Sequence, residues 1–275
     1  MRLAIIAGFI LFGPSQAAAV TLSANDGTAD NGAALATALS PSNGVSLVSG
    51  SSSFTGASSQ SALFGPSGAG APIFGARSGI VLTTGNATVD NFAGASTLSG
   101  PSPLLETLYA DDPLIAATGT VDQNQLSVDF TLGAGFNAVQ LDIVFATDEG
   151  FFGFGVQDPF AVLVDGDNIA TDGDTPIYRQ TTSPGFFEAA GFNIAGTNYN
   201  LVSNVLTLTA LLTPGTYTLD IAIADAQDTI LDSALFVSNL RGTNIGTTPI
   251  PLPAPAFLLI GALGLMALYR RRPRS

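Results

Sequence analysis

Six acidic side chains next to predicted strands are the main candidates for chemistry in this sequence: Asp148, Glu149, Asp158, Asp225, Asp228 and Asp232. The last three lie in one predicted loop, spaced by three and four residues. Hard divalent cations such as Ca²⁺ require several oxygen ligands, and carboxylates in a loop after a strand can converge on one ion. The other three end or precede neighbouring predicted strands. The pattern therefore predicts a Ca²⁺ site formed by these carboxylates.

A solvated acidic rim is an alternative interpretation, in which the aspartates cap turns and accept hydrogen bonds from local backbone amides. The sequence has no EF-hand loop or other specific calcium spacing, so both interpretations stay open. Two Asp-Gly-Asp segments, which begin at Asp165 and Asp172, have the composition of calcium loops. Because Asp-Gly is a strong hairpin signal and the segments form no regular repeat, we predict turns there.

The sequence contains no Cys, His or Trp. Ser-His-Asp triads, Cys-His pairs and zinc-histidine sites are therefore excluded. A glycosidase needs only two carboxyl groups at a set separation, so Asp148 or Glu149 acting with Asp225 or Asp228 stays open as an alternative. Carbohydrate-cleaving sites usually add Trp platforms and cationic or His contacts that this chain lacks. We therefore expect a protein that is not an enzyme.

The first 19 residues have the pattern of a secretory signal peptide. Arg2 precedes an apolar stretch, and Ala17, Ala18 and Ala19 follow as a small-residue cleavage site. We expect cleavage after Ala19 and export of the chain that follows.

The C-terminal segment 250–275 has three parts that together are typical of a sorting signal with a membrane anchor. Its residues of interest are Pro251, Leu252, Pro253 and Ala254, then the apolar run 256–269, then Arg270, Arg271 and Arg272. The arginine cluster is expected to stay cytoplasmic, because moving guanidinium groups across hydrocarbon is costly. The apolar run is short for a bilayer span of roughly 20 residues, but residues 252–255 can extend it. We predict a membrane-spanning helix in the inner membrane, with the preceding domain outside and then at the cell surface or in the extracellular space.

The exported part is strongly acidic. It holds all 21 acidic residues and three arginines, which gives a formal charge of −18. Such a surface repels phosphate backbones and anionic lipids. We expect no nucleic-acid binding, and we expect cations, glycans or other proteins as partners.

Hydrophobic patterning predicts an all-β fold. One short helix is expected within 28–41, where cap-type residues precede an Ala/Leu stretch and a proline follows. Strands are predicted at 45–48, 80–83, 125–132, 139–146, 160–164, 205–212, 217–223 and 234–240. An ordered loop with a single helical turn is expected across 90–120. Many short strands separated by turn signals favour one antiparallel β-sandwich or jelly-roll-like domain at 20–240, followed by a linker at 241–249.

Several segments resemble the bacterial surface family called choice-of-anchor L. The similar segments are Ser53 to Ala57, Ser78 to Asn86, Val144 to Glu149, Asp158 to Phe160 and Ile221 to Phe236. Relatives commonly have Ser-Glu-Glu-Tyr where this chain has Thr-Asp-Glu-Gly at 147–150, so the aromatic residue is lost. The tail resembles the VPLPA variant of PEP-CTERM sorting signals, with Ile250 in place of the leading valine. That resemblance implies a partner of the exosortase type, a processing enzyme of Gram-negative bacteria.

These features together predict a structural or adhesive protein of the cell surface or extracellular matrix, with Ca²⁺ as its expected cofactor and exopolysaccharide or other surface proteins as expected partners. The family resemblance implies surface display without an established catalytic activity. One alternative is a Ca²⁺-dependent carbohydrate-binding surface module. A carboxylate glycosidase is the other.

Overall fold

The computed structural model describes residues 22–24, 31–65, 77–87, 98–149, 158–172, 175–177, 187–189, 199, 201–226 and 229–246. The strands are β1 (Leu22–Ala24), β2 (Val45–Leu47), β3 (Ser53–Thr55), β4 (Ser61–Phe64), β5 (Gly79–Thr83), β6 (Thr120–Leu132), β7 (Ala138–Thr147), β8 (Phe160–Val164), β9 (Asp167–Asn168), β10 (Thr171–Asp172), β11 (Thr175–Pro176), β12 (Phe187–Ala189), β13 (Leu201–Ser203), β14 (Leu206–Leu211), β15 (Gly215–Ala226) and β16 (Ser233–Thr243). The helical segments are α1 (Asn31–Ala38), the 3₁₀ helix η1 (Ser58–Gln60), α2 (Pro103–Leu108) and α3 (Pro113–Thr118).

Most of the strands belong to two antiparallel sheets. Sheet A has the order β1-β4-β5-β16-β7-β13-β12, and β14 also pairs with β7. Sheet B has the order β2-β6-β15-β8-β9, and β3 also pairs with β6. Strands β10 and β11 pair separately. The prediction of an all-β antiparallel sandwich is confirmed.

The main hydrophobic core lies between the two sheets. On β6, Leu126, Val128 and Phe130 are buried while the residues between them are partly exposed, as the apolar-polar alternation predicts. Aromatic rings meet across the interface, where Phe145 of sheet A and Phe160 of sheet B stack with their centroids 4.9 Å apart. Strands β7, β8 and β16 are buried along almost their whole length, which requires cover on both faces of each sheet.

Helices α2 and α3 cover the outer face of sheet B, where their apolar residues pack on small side chains of β8 and β15. Both helices begin at a proline that follows a capping residue. The Ser102 hydroxyl accepts from Leu105 N (3.4 Å), and Asp112 Oδ1 accepts from Leu114 N (2.9 Å). We predicted a loop with a single helical turn across 90–120. The second helix there, α3, shows that this prediction is wrong. The Asp-Pro start signal was present in the sequence.

The remaining elements agree with the sequence predictions. Helix α1 lies within the predicted helix, and each of the eight predicted strands corresponds to an observed one. Strand β16 extends to Thr243, three residues into the segment expected to be a linker. The predicted signal peptide 1–19 and sorting segment 250–275 lie outside the described residues. Within the part of the chain that the structure describes, no helix has the length and apolar character needed to cross a membrane.

Candidate functional site

Strand ends from both sheets meet at one end of the sandwich. Strand β6 begins opposite the end of β15, with Thr120 paired to Ala226, and β16 begins opposite the end of β7, with Ser233 paired to Thr147. The chain passes from sheet B to sheet A at this end, between β15 and β16. The carboxylates here form what we call the acidic centre, which consists of Asp122, Asp148, Glu149, Asp158, Asp225 and Asp232.

The acidic centre is buried inside the fold. Relative exposure is 1% for Asp225 and only 5% for Asp232, its most exposed member. A solvated rim requires exposed carboxylates, so that interpretation is wrong for these residues. The structure thus brings together five of the six predicted residues and adds Asp122, while Asp228 lies outside the described residues.

Asp158 links the strands that enter and leave the acidic centre. Its Oδ1 accepts a hydrogen bond from Ala226 N (3.1 Å), at the end of β15. Its Oδ2 accepts one from the Ser233 hydroxyl (2.6 Å), at the start of β16. Because β15 belongs to sheet B and β16 to sheet A, this carboxylate connects the two sheets.

Asp225 does not have a hydrogen bond at each of its two carboxylate oxygens, as Asp158 has. Its Oδ1 is buried and has no hydrogen-bond partner among the described residues. Burial raises the pKa of Asp225 well above its ordinary value, the negative charge of Asp158 raises it further, and a hydrogen bond from the Thr84 side chain opposes these effects. Charge on Asp225 is therefore costly in this environment.

Asp232 sits against a glycine that leaves room for it. A Cβ atom at Gly85 would lie 1.7 Å from Asp232 Oδ2, so any larger residue there displaces the carboxylate. Burial raises the pKa of Asp232 to about 7, helped by the negative charges of Asp148 and Asp122. Burial also raises the pKa of Asp122, against the opposing effect of hydrogen bonds from the backbone amides of Ser99 and Leu98.

Tyr199 adjoins the acidic centre. Its hydroxyl and the Thr83 hydroxyl are 2.8 Å apart. Burial raises the pKa of Tyr199, the hydrogen bond with Thr83 lowers it, and the charges of Asp232, Asp148 and Asp225 raise it again. The phenol is thus within electrostatic range of three carboxylates.

Two buried amide side chains, which sequence reasoning missed, join the sheets beside the acidic centre. Gln60 Nε2 donates to the carbonyls of Thr84 (2.9 Å) and Asp122 (3.1 Å). Asn124 Nδ2 donates to the carbonyls of Gln60 and Thr83. Asn124 Oδ1 is buried and has no hydrogen-bond partner among the described residues. The signal in the sequence was polar residues at 122 and 124, on the face of β6 that the alternation assigns to the core.

The basic residues in the described part of the chain form ion pairs with an aspartate outside the acidic centre. Arg77 and Arg241 both pair with Asp142 of β7, at 2.5 and 3.2 Å. Burial acts to raise the pKa of Asp142, but hydrogen bonds from Asn239 and Thr207 and the charge of Arg241 outweigh it, so the pKa is lowered. The whole sequence contains no Lys or His.

A family comparison decides the classification. The family model for the choice-of-anchor L domain matches residues 25–240. The chain belongs to the choice-of-anchor L family. Membership indicates a surface-associated, exported protein.

Other comparisons add little to the choice-of-anchor L assignment. No curated protein matches the sequence. A crystal structure of CBM28, a carbohydrate-binding module specific for non-crystalline cellulose, is similar at 12% identity and a TM-score of 0.29. The match covers 57% of this chain and 81% of that one. This likeness is too weak to transfer the binding activity of that module.

Within this choice-of-anchor L domain, carboxylates alone do not make a metal site. Among the described residues, no three carboxylates converge closely enough to hold an ion by themselves. A complete Ca²⁺ site would need neutral oxygens as well as carboxylates. The predicted Ca²⁺ site therefore stays a prediction.

Proposed function

We propose that the chain is a structural or adhesive protein of the cell surface or extracellular matrix and that it is not an enzyme. The burial of the acidic centre supports the proposal that the chain is not an enzyme. Its carboxylates are 1 to 5% exposed and lie between strand ends. A glycosidase needs its two carboxyl groups on either side of a bound sugar, which groups enclosed between two sheets do not offer.

The C-terminal segment 250–275 is the proposed sorting signal. Pro251 to Ala254 would be recognised by an exosortase-type enzyme, and the apolar run 256–269 would hold the chain in the membrane until then. Family membership supports a location outside the cell. In that setting, exopolysaccharide and other surface proteins are the proposed partners.

Fractionation of cells that carry an exosortase-type enzyme tests whether this segment acts as a sorting signal. We expect the full chain to reach the surface or medium in a shortened form, and a variant with Pro251, Leu252 and Pro253 changed to Ala to stay in the membrane at full length. The matched control changes Thr247 and Thr248 to Ala, next to the signal, and should behave as the unchanged chain. Identical fractionation of all three would contradict the proposed sorting role.

Glycan assays test the two alternatives to a structural role. Pull-down with insoluble polysaccharides and a screen for released reducing sugar should show no turnover. Turnover that Asp148→Asn abolishes would establish the glycosidase alternative. Saturable binding without turnover, lost on removal of Ca²⁺, would establish the carbohydrate-binding alternative.

A further inference from the structure

We propose that the outer edge of β14 pairs with β14 of a second copy of this chain, as two antiparallel strands that join sheet A of one copy to sheet A of the other. Such self-association goes beyond the proposed surface location, and it does not depend on glycan or cation binding. The position of the strand, its length, its sequence and its exposed side chains support it.

Strand β14 lies at an edge of sheet A. All of its residues pair with β7, from Leu206 opposite Ile143 to Leu211 opposite Ala138. Within the part of the chain that the structure describes, no other strand pairs with β14. An edge strand has backbone N–H and C=O groups that point away from its sheet, where they can bind another strand. The outer edge of β14 is therefore available to a partner.

The length and composition of β14 distinguish it from the other described edge strands. Natural proteins protect sheet edges by keeping edge strands short or by placing charged residues and proline on them. The other edge strands of the two described sheets have two or three residues each; they are β1, β2, β3, β9 and β12. Strand β14 has six residues and contains neither a charged residue nor proline. Its own sequence therefore does not prevent pairing with another strand.

The distribution of charge favours a second copy as the partner. No charged residue lies between Glu188 and Asp220 in the sequence, a stretch that includes β14. The carboxylate of Asp142 on β7, which accepts a hydrogen bond from Thr207 (2.7 Å), is paired with two arginines. The exported part as a whole has a formal charge of −18, so most of its surface repels another copy and attracts basic proteins. At β14, two acidic copies can meet without that repulsion.

The exposed apolar residues at the two ends of β14 match each other in an antiparallel pair. Val205, directly before the strand, is 44% exposed, and Leu211, at its end, is 72% exposed. When Leu208 of one copy lies opposite Leu208 of the other, Val205 of each copy lies opposite Leu211 of the other copy. Thr207 and Thr209 lie opposite each other between these pairs. This register covers both exposed apolar side chains in each copy and buries no charge.

Sedimentation velocity of the full chain in non-ionic detergent, from about 5 to about 500 µM, tests the self-association. Pairing of one short strand from each copy buries less than the roughly 1,600 Å² of a standard interface, so we expect a weak dimer whose fraction rises with concentration. A monomer over the whole range would overturn the proposal. A monomer that binds a different exported protein through β14 would also overturn it, and would assign the edge to that partner.

Thr209→Asp places a charge in the middle of the paired strands, and we expect it to abolish the dimer. Thr216→Asp is the matched control, because both threonines are exposed and each shares one side-chain hydrogen bond with a neighbouring strand, through Gln140 and Thr131 respectively. The control adds the same charge on β15 of sheet B, so its dimer should persist. The C-terminal segment 250–275 is the same in both variants and cannot produce a difference between them. Equal association of the two variants would contradict the assignment to β14.

Disulfide cross-linking tests the register of the paired strands. The sequence contains no Cys, so introduced thiols are the only ones. Val205→Cys combined with Leu211→Cys places thiols opposite each other across the two copies, with Cβ atoms about 4.5–5.5 Å apart, whereas the two positions within one copy are about 20 Å apart along the strand. Under mild oxidation we expect the double variant to form covalent dimers at least about tenfold faster than either single variant, because pairing raises the effective concentration of facing thiols. Equal rates for the double and single variants would overturn the proposal.

Discussion

Without metal, the fold is predicted to lose stability as pH rises from 5 to 8. Asp232 carries the part of this effect that can be worked out in numbers, because its pKa in the folded protein is about 7 against an ordinary 3.8. A raised pKa means that the folded state holds a proton that the unfolded state releases. The stabilisation is therefore present at low pH and is lost as pH rises through the folded value of about 7.

The magnitude follows from proton counting. Between pH 5 and 7 the folded state holds about one proton more than the unfolded state, and each pH unit then changes the free energy of unfolding by about 1.4 kcal/mol. A rise of two pH units therefore lowers the free energy of unfolding by up to about 3 kcal/mol. Because the folded-state carboxyl is already half ionised at its pKa of about 7, the change reached by that pH is about 2 kcal/mol. Asp225, whose pKa is also raised, adds in the same direction.

The groups around Asp232 do not reverse the predicted loss of stability with rising pH. Among the residues that the structure describes, they are Asp122 of β6, Asp148 after β7, Asp225 of β15 and the phenol of Tyr199. An ionised carboxyl group nearby further disfavours charge on Asp232, and the Tyr199 phenol stays neutral across this range because burial raises its pKa. None of them can supply a positive charge.

Urea unfolding in metal-free buffer at pH 5, 6, 7 and 8, followed by far-UV circular dichroism, measures the change. Asp232→Asn should reduce the dependence of the unfolding free energy on pH by about 2 kcal/mol across this range. Asp220→Asn should leave it unchanged. An unfolding free energy of the unmodified protein that is constant or higher at pH 8 would refute the reasoning.

Three further outcomes are expected from substitutions, each measured by urea unfolding. Gly85→Ala should destabilise the fold by about 1–3 kcal/mol, because its methyl group takes the place of the Asp232 carboxylate. Phe145→Ala should cost about 3–5 kcal/mol, since its ring is buried against Phe160 between the sheets, whereas Leu211→Ala, at a side chain 72% exposed, should change stability by less than about 0.5 kcal/mol. Asp142→Asn should cost about 1–3 kcal/mol by removing the charge that pairs with two arginines, and equal stability of this variant and the unmodified protein would contradict the role given to that cluster.

Strong periodic signals made most of the large strands predictable. On β6, alternation of apolar and polar residues reflects one core face and one partly exposed face, and β15 shows the same alternation up to Ile221, beyond which both of its faces are buried. Short strands such as β3, β9 and β13 have only two or three residues each, too few for a period to be recognised. The turn at Asp165-Gly166 was predicted correctly, and both residues adopt positive φ there, at 50° and 86°.

The candidate site could be predicted only in part. Asp148, Asp158, Asp225 and Asp232 were recognised because acidic residues follow or precede strands. Their burial was not predictable, because it depends on how the two sheets meet and on the crossing between β15 and β16. Gln60 was missed for a similar reason, since its role rests on contacts to residues 24 and 62 positions away in the chain.

The position of β16 determines how mechanical load would enter this domain. It is the last strand of the sandwich, yet it lies in the interior of sheet A, paired with β5 on one side and β7 on the other. Tension applied to the chain beyond Thr243 pulls β16 along its axis, so hydrogen bonds to both neighbours are loaded in shear and must fail together instead of opening one by one. Resistance to such a pull is governed by the rate of unfolding, and it is greatest for a central strand held from both sides. The far end of the same strand begins at Ser233, whose hydroxyl bonds to Asp158, so the force runs from the C-terminal side straight towards the acidic centre.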